Sequence, residues 1–183
     1  MKPLLRFERV TCRRGGRTLF EDLDLQLGPG EALHLTGPNG SGKSSLLRLA
    51  AGLLRAENGR VDRSGVALAD EHIALDRELP LRRALSFWGG DVDQSMDALD
   101  LTRLGGVPVR LLSTGQAKRA TLARAAASAA PLWLLDEPLN GLDADGVERL
   151  DALIARHLEK GGAILAASHG PLGGSWTRLD MGA

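Results

Sequence analysis

At 183 residues the chain can form one well-cored domain and is short for two. Its 43 % hydrophobic and 25 % charged residues are the balance of a globular protein, and no stretch approaches the ~18 consecutive apolar residues of a membrane helix. Lys plus Arg equals Asp plus Glu at 23 each, so no global field draws it to nucleic acid, and the one cysteine, Cys12, excludes an internal disulfide and fits a reducing compartment.

The opening residues Met1 to Arg9 carry charge too early to serve as the apolar core of a secretion signal. Cys12 is expected to be partly buried near a turn. Leu23-Asp24-Leu25-Gln26-Leu27 alternates with period two, which predicts a half-buried strand, and Gly28-Pro29-Gly30 turns the chain. Residues 31–36 form a second strand that feeds Gly37-Pro38-Asn39-Gly40-Ser41-Gly42-Lys43-Ser44, the full G-x-x-x-x-G-K-[ST] phosphate-binding loop. After it, Leu46, Leu47, Ala50, Leu53 and Leu54 fall on one helical face with Arg48 outside, and Gly52 ends the helix.

A further β stretch spans 59–69 with its own turn at Arg63-Ser64-Gly65. From Leu79 to Leu111 the pattern weakens and turns helical, punctuated by Gly89-Gly90 and Gly105-Gly106, which predicts a small helical insert. Ser113-x-x-Gln116 is a capping box opening an Ala-rich helix that Pro131 stops. Residues 132–135 are a continuous apolar run, as in a parallel strand buried on both faces. Val147, Leu150, Ile154 and Leu158 stripe a helix closed by Gly161-Gly162, and 163–168 form another buried strand. Strand, helix, strand at this spacing predicts an α/β fold with a mainly parallel sheet.

The chemistry gathers at a few points. Gly37, Gly40 and Gly42 let backbone N–H groups approach phosphate oxygens, and the next helix offers its positive end. Lys43 places a charge at the β- and γ-phosphates, and Ser44, followed by Ser45, can ligate Mg²⁺. Asp136 ends a buried strand, where a carboxylate is costly unless it serves a cation, so Ser44 and Asp136 are the expected metal ligands. Glu137, one position on, is the expected general base for an attacking water. Of the other histidines, His34 lies on the strand before the loop and His157 is expected on an exposed helical face.

The phosphate loop, Leu-Ser-Thr-Gly-Gln at 112–116, Leu-Trp-Leu-Leu-Asp-Glu at 132–137, Asn140-Gly141-Leu142-Asp143 and His169 occur in this order. Together they resemble the ATP-binding subunits of ABC transporters over nearly the whole chain. The resemblance implies a single P-loop NTPase domain of ABC type over 1–183, with an N-terminal antiparallel β part and a short helical insert at about 72–130. It also implies ATP and Mg²⁺ as ligands, and that Ser113, Thr114, Gly115 and Gln116 are a signature closing on ATP held by a second copy. Asn140, Gly141, Leu142 and Asp143 match the loop that touches that copy's site, and His169 matches a histidine that contacts the γ-phosphate. ATP then joins two chains into a homodimer, served by separate integral membrane export subunits at the cytoplasmic face of a bacterial inner membrane, without nucleic acid.

Two positions depart from the family pattern. No glutamine occurs between Lys43 and Gln94, where relatives carry one that senses Mg²⁺ and the membrane partner; His72, beside Glu71, stands nearest that position. The aromatic that often stacks on adenine is replaced by Arg13 or Arg14, and a guanidinium can lie flat on a base. Within the family, Leu142-Asp143-Ala144-Asp145-Gly146-Val147 and His169-Gly170-Pro171-Leu172 look most like the haem-exporter subunits of cytochrome c maturation. ATPase subunits for a peptide, ion or lipid, and a non-transport ABC ATPase, are the alternatives.

Overall fold

The computed structural model describes residues 2–182. Two sheets organise it. β1 (Leu5–Arg14), β2 (Arg17–Leu27) and β4 (Asn58–Arg63) form an antiparallel sheet in the order β2-β1-β4. β3 (Ala32–Thr36), β5 (Val66–Ala69), β6 (Leu132–Asp136), β7 (Ala163–Ala167) and β8 (Thr177–Asp180) form a sheet in the order β5-β6-β7-β3-β8. Every pairing in the second sheet is parallel. The α/β architecture expected from the pattern is therefore observed.

The apolar runs of β6 and β7 lack alternation because both faces are covered. Leu132 and Leu134 pack with Leu46, Leu47 and Ala50 of α1 (Lys43–Ala51) and with Leu5 and Phe7 of the antiparallel sheet. Trp133 and Leu135 face a second core built with the helical insert and α5 (Ala144–Glu159). That insert comprises α2 (Leu81–Ser86), α3 (Val92–Ala98), two short 3₁₀ turns and α4 (Thr114–Ala127). Arg124 of α4 is buried, lies 4.6 Å above the Trp88 ring and donates to the Leu68 carbonyl, joining insert to sheet.

Four local expectations need correction. Leu53, expected on the buried face of the first helix, is 69 % exposed. The helix stops before it in a Schellman arrangement, with Gly52 N–H on Leu49 O at 3.0 Å and Leu53 N–H on Arg48 O at 2.9 Å. The 59–69 stretch is not one β unit: β4 joins the antiparallel sheet and β5 the parallel one, so the turn at 63–65 carries the chain between sheets. His157 is half-buried, stacked on Trp133 with centroids 3.8 Å apart, and burial pushes its imidazole pKa below the ordinary 6.5. Cys12, expected near partial burial, is fully inside β1, and that burial raises its thiol pKa.

Candidate functional site

In a parallel sheet the C-terminal strand ends open on one edge, the usual place for a ligand crevice. Here β3 ends at Thr36 before the phosphate loop, β6 at Asp136, β7 at Ala167 and β5 at Ala69. The loop turns through positive φ at Gly37, Gly40 and Gly42. At Gly42 the need is also spatial, since a Cβ there would lie 3.2 Å from Leu19 Cβ. Lys43 is buried, and its ammonium donates to the Gly37 carbonyl at 2.7 Å and the Pro38 carbonyl at 3.0 Å. The cation thus holds the loop curled around the space a phosphate would take.

A cavity of about 560 Å³ opens beside the loop. Asn39, Gly40, Gly42, Lys43, Ser44 and Ser45 line it from one side, and Asp136, Glu137, Asn140 and His169 from the other. Burial pushes the Asp136 carboxyl above the usual carboxylate range, partly offset by the Ser44 hydroxyl beside it. A desolvated carboxylate next to a hydroxyl is a donor set suited to a hard divalent cation.

Glu137 sits just past β6 at φ +44, a conformation uncommon for a residue with a side chain. Its N–H donates to the Ala167 carbonyl at 2.8 Å. Its Oε2 accepts from the His169 N–H at 3.4 Å, and its Oε1 lies 3.6 Å from His169 Nε2. His169 Nε2 is also 2.8 Å from Asn39 Oδ1. His169 therefore links Glu137 to the loop's Asn39, joining the two sides of the cavity.

The 113–116 segment lies elsewhere. Ser113 Oγ accepts from Gln116 N–H at 3.3 Å while Ser113 N–H donates to Gln116 Oε1 at 2.9 Å, the reciprocal capping box expected. Its start packs on the 140–143 loop so closely that a Cβ on Gly115 would meet the Gly141 carbonyl oxygen at 2.9 Å. Ser113 to Gln116 do not line the phosphate cavity of their own chain. In the 140–143 loop, Asn140 faces that cavity, Leu142 is partly buried, and Asp143 caps α5 by accepting from Gly146 N–H at 2.9 Å.

His72 stands apart. Its side chain is 72 % exposed, with Nδ1 3.5 Å from Asp70 Oδ2. A neighbouring cavity of about 370 Å³ is lined instead by Asp70 and Glu71, together with Ser44, Arg48, Lys118, Asp136 and Glu137. Sequence reasoning missed Asp70 and Lys118. The first follows β5, whose Ala69 pairs with Leu135, so it emerges beside Asp136. The second donates to the Asp136 carbonyl at 3.3 Å. Of the two arginines at the adenine position, Arg14 lines the phosphate cavity and Arg13 pairs with Glu57 at 3.4 Å. His34 is buried, with Nε2 3.0 Å from the Ser168 carbonyl.

The ABC transporter family model matches residues 20–140. The chain is 56 % identical over 177 residues to the cytochrome c biogenesis ATP-binding export protein CcmA of Sphingopyxis alaskensis, covering 92 % of this chain and 91 % of that one. It is 55 % identical over 167 residues to the protein of the same name from Novosphingobium aromaticivorans, covering 89 % and 87 %. Among solved structures, an ATP binding subunit of an ABC transporter superposes with a TM-score of 0.84 over 91 % of this chain and 79 % of its own, at 23 % identity, a likeness of fold.

Proposed function

Because the chain belongs to the ABC transporter family, we propose that it is the ATP-hydrolysing subunit of an export complex serving cytochrome c maturation, with haem or a haem-loaded carrier as the cargo moved. The convergence of Asp136, Glu137 and His169 on the cavity of the phosphate loop carries the catalytic half of this reading. The similarity to the two cytochrome c biogenesis proteins carries the biological half.

The phosphate loop, residues 37–45, holds the triphosphate through its backbone N–H groups and Lys43. Ser44 and Asp136 hold Mg²⁺, which when bound neutralises charge on the phosphates. Glu137 accepts a proton from the attacking water. His169, bridging Glu137 and Asn39, lines the water and the γ-phosphate up with that base. Such phosphoryl transfer is mostly positioning and charge stabilisation, which suits a site made of a preformed loop and a few fixed side chains.

The 113–116 segment, a capped helix start that does not line the phosphate cavity of its own chain, serves as the anion site for nucleotide held by a second copy. The 140–143 loop reaches the same interface, so ATP closes a homodimer with two shared sites. No helix among the described residues is long and apolar enough to cross a membrane. In this reading transport runs through integral membrane export subunits, with this chain held peripherally at the cytoplasmic face of the inner membrane.

The test is a haem stain of c-type cytochromes in the native host with Glu137→Gln replacing the wild-type chain. Loss of the covalent haem bands while the apoproteins are still made is the expected outcome. Intact bands in a host with no second copy would refute the cytochrome c assignment and direct the search to a peptide, ion or lipid cargo.

A further inference from the structure

We propose that Lys118 is the positioning residue for Glu137: it holds the peptide joining Asp136 to Glu137, and so fixes where the Glu137 carboxylate points. The proposal rests on the reading of Glu137 as general base.

The peptide is tied at both polar ends. Its N–H, that of Glu137, donates to the Ala167 carbonyl of β7 at 2.8 Å. Its carbonyl, that of Asp136, projects the other way, toward β5. That strand ends at Ala69, opposite Leu135, so the Asp136 carbonyl lies past the last strand partner on this side. Lys118 Nζ fills the position, donating to Asp136 O at 3.3 Å. The bond reaches across from the second turn of α4, so the strand end is tied to β7 on one side and to the insert on the other.

The tie matters because of the backbone it holds. Glu137 is at φ +44, where a Cβ-bearing residue is strained and where a small rotation of the peptide swings the side chain through a wide arc. Relaxed to an ordinary φ, the carboxylate would leave His169 and the phosphate cavity. A half-buried carbonyl at that point could be satisfied by many donors, but the surroundings favour a cation. Asp70, Glu71, Asp136 and Glu137 all face the cavity that Lys118 lines, with Arg48 as the other cation there. Burial weakens the ammonium while these four carboxylates support it. Lys118 therefore serves both as hydrogen-bond donor to the peptide and as counter-charge to the acids gathered behind it.

The placement also carries a consequence for the dimer. α4 begins with the 113–116 segment, so the helix that engages the partner's nucleotide is the one that holds this chain's own base in line.

The experiment is a double-mutant cycle on ATP turnover with Mg²⁺, comparing wild type, Lys118→Met, Lys118→Arg, Glu137→Gln and Glu137→Gln/Lys118→Met. A misaligned base shows in kcat, so Lys118→Met is expected to lower kcat about tenfold with KM within about twofold. Lys118→Arg, which keeps charge and donor, is expected to recover much of that loss. In the Glu137→Gln background, where no base remains to be aimed, Lys118→Met is expected to change the residual rate by less than about twofold. The same loss in both backgrounds, a loss carried by KM, or an Arg variant no better than Met assigns Lys118 to packing and overturns the proposal. If Met does not fold, Lys118→Gln, a donor without charge, is read through the same cycle. Near-normal turnover by Glu137→Gln alone would refute the base assignment itself, independently of what Lys118 variants do.

Discussion

Replacing Glu137 by glutamine isolates proton transfer from everything else the residue does. Glutamine has the same length and keeps a carbonyl oxygen able to accept the His169 N–H that Glu137 Oε2 accepts at 3.4 Å. The strained φ of +44 and the backbone bond to Ala167 at 2.8 Å are unchanged by the substitution. The negative charge is lost, and with it the ability to take a proton. A general base of this type is worth roughly 10²–10⁴ in rate, or about 3–5 kcal/mol of barrier. Nucleotide affinity should hold within about twofold, since loop and Lys43 contacts are untouched. Stability should rise slightly if it moves, because the Glu137 charge is one of the causes that raise the Asp136 carboxyl. Phosphate release gives kcat, calorimetry gives affinity, and light scattering with ATP and Mg²⁺ should show dimer accumulating. A kcat within about threefold of wild type, or a loss of rate matched by a loss of ATP binding, would remove Glu137 from the role of base.

Lys43→Ala breaks the ammonium bonds to Gly37 and Pro38 at 2.7 and 3.0 Å, each charge-assisted and worth about 1.5–3 kcal/mol, so ATP affinity should fall at least about tenfold. Unchanged calorimetric binding would sink the loop assignment. Asp136→Asn should separate stability from function. The folded carboxyl titrates above its unfolded value near 3.8, so stability falls as pH rises from that value through the folded pKa. Above the folded pKa the Asn variant without Mg²⁺ should therefore melt higher than wild type, yet gain nothing from Mg²⁺·ATP. A lower melting temperature would contradict the desolvation argument. His157 runs the opposite way: its folded pKa lies below 6.5, so its contribution is present above that value and lost as pH falls through it. His157→Phe, which keeps a ring against Trp133, should narrow the difference in melting temperature between pH 7.5 and 5.5, and an unchanged difference would assign that pH dependence to other groups.

Much of the site was legible because it is written locally. The phosphate loop is a contiguous run between a strand and a helix, and the constraints that shape its turn, from φ at Gly42 to the Lys43 bonds, lie within a few residues or one neighbouring strand. The capping box at Ser113 and Gln116 closes over three positions. The apolar run 132–135 announces a strand covered on both sides, and Asp136 after it announces a carboxylate at a sheet edge.

What the chain alone left open depends on which strands lie side by side. Nothing in Val66–Ala69 says that it pairs with β6 rather than with β4, and that pairing sets Asp70 and Glu71, not His72, beside Asp136. Lys118 reads as an unremarkable helix position until α4 is laid across the end of β6. His157 follows an exposed-face period, yet its ring stacks on Trp133, in space that a Cβ on Gly162 would enter. The phosphate loop and the placing of Asp136 and Glu137 at the end of a buried strand were thus determined by the sequence itself, through short-range geometry and the cost of burying a charge. Their orientation, their counter-charge and their supporting contacts were decided by tertiary structure, because parallel strand register and helix docking join residues far apart in the chain, and no periodicity encodes those pairings.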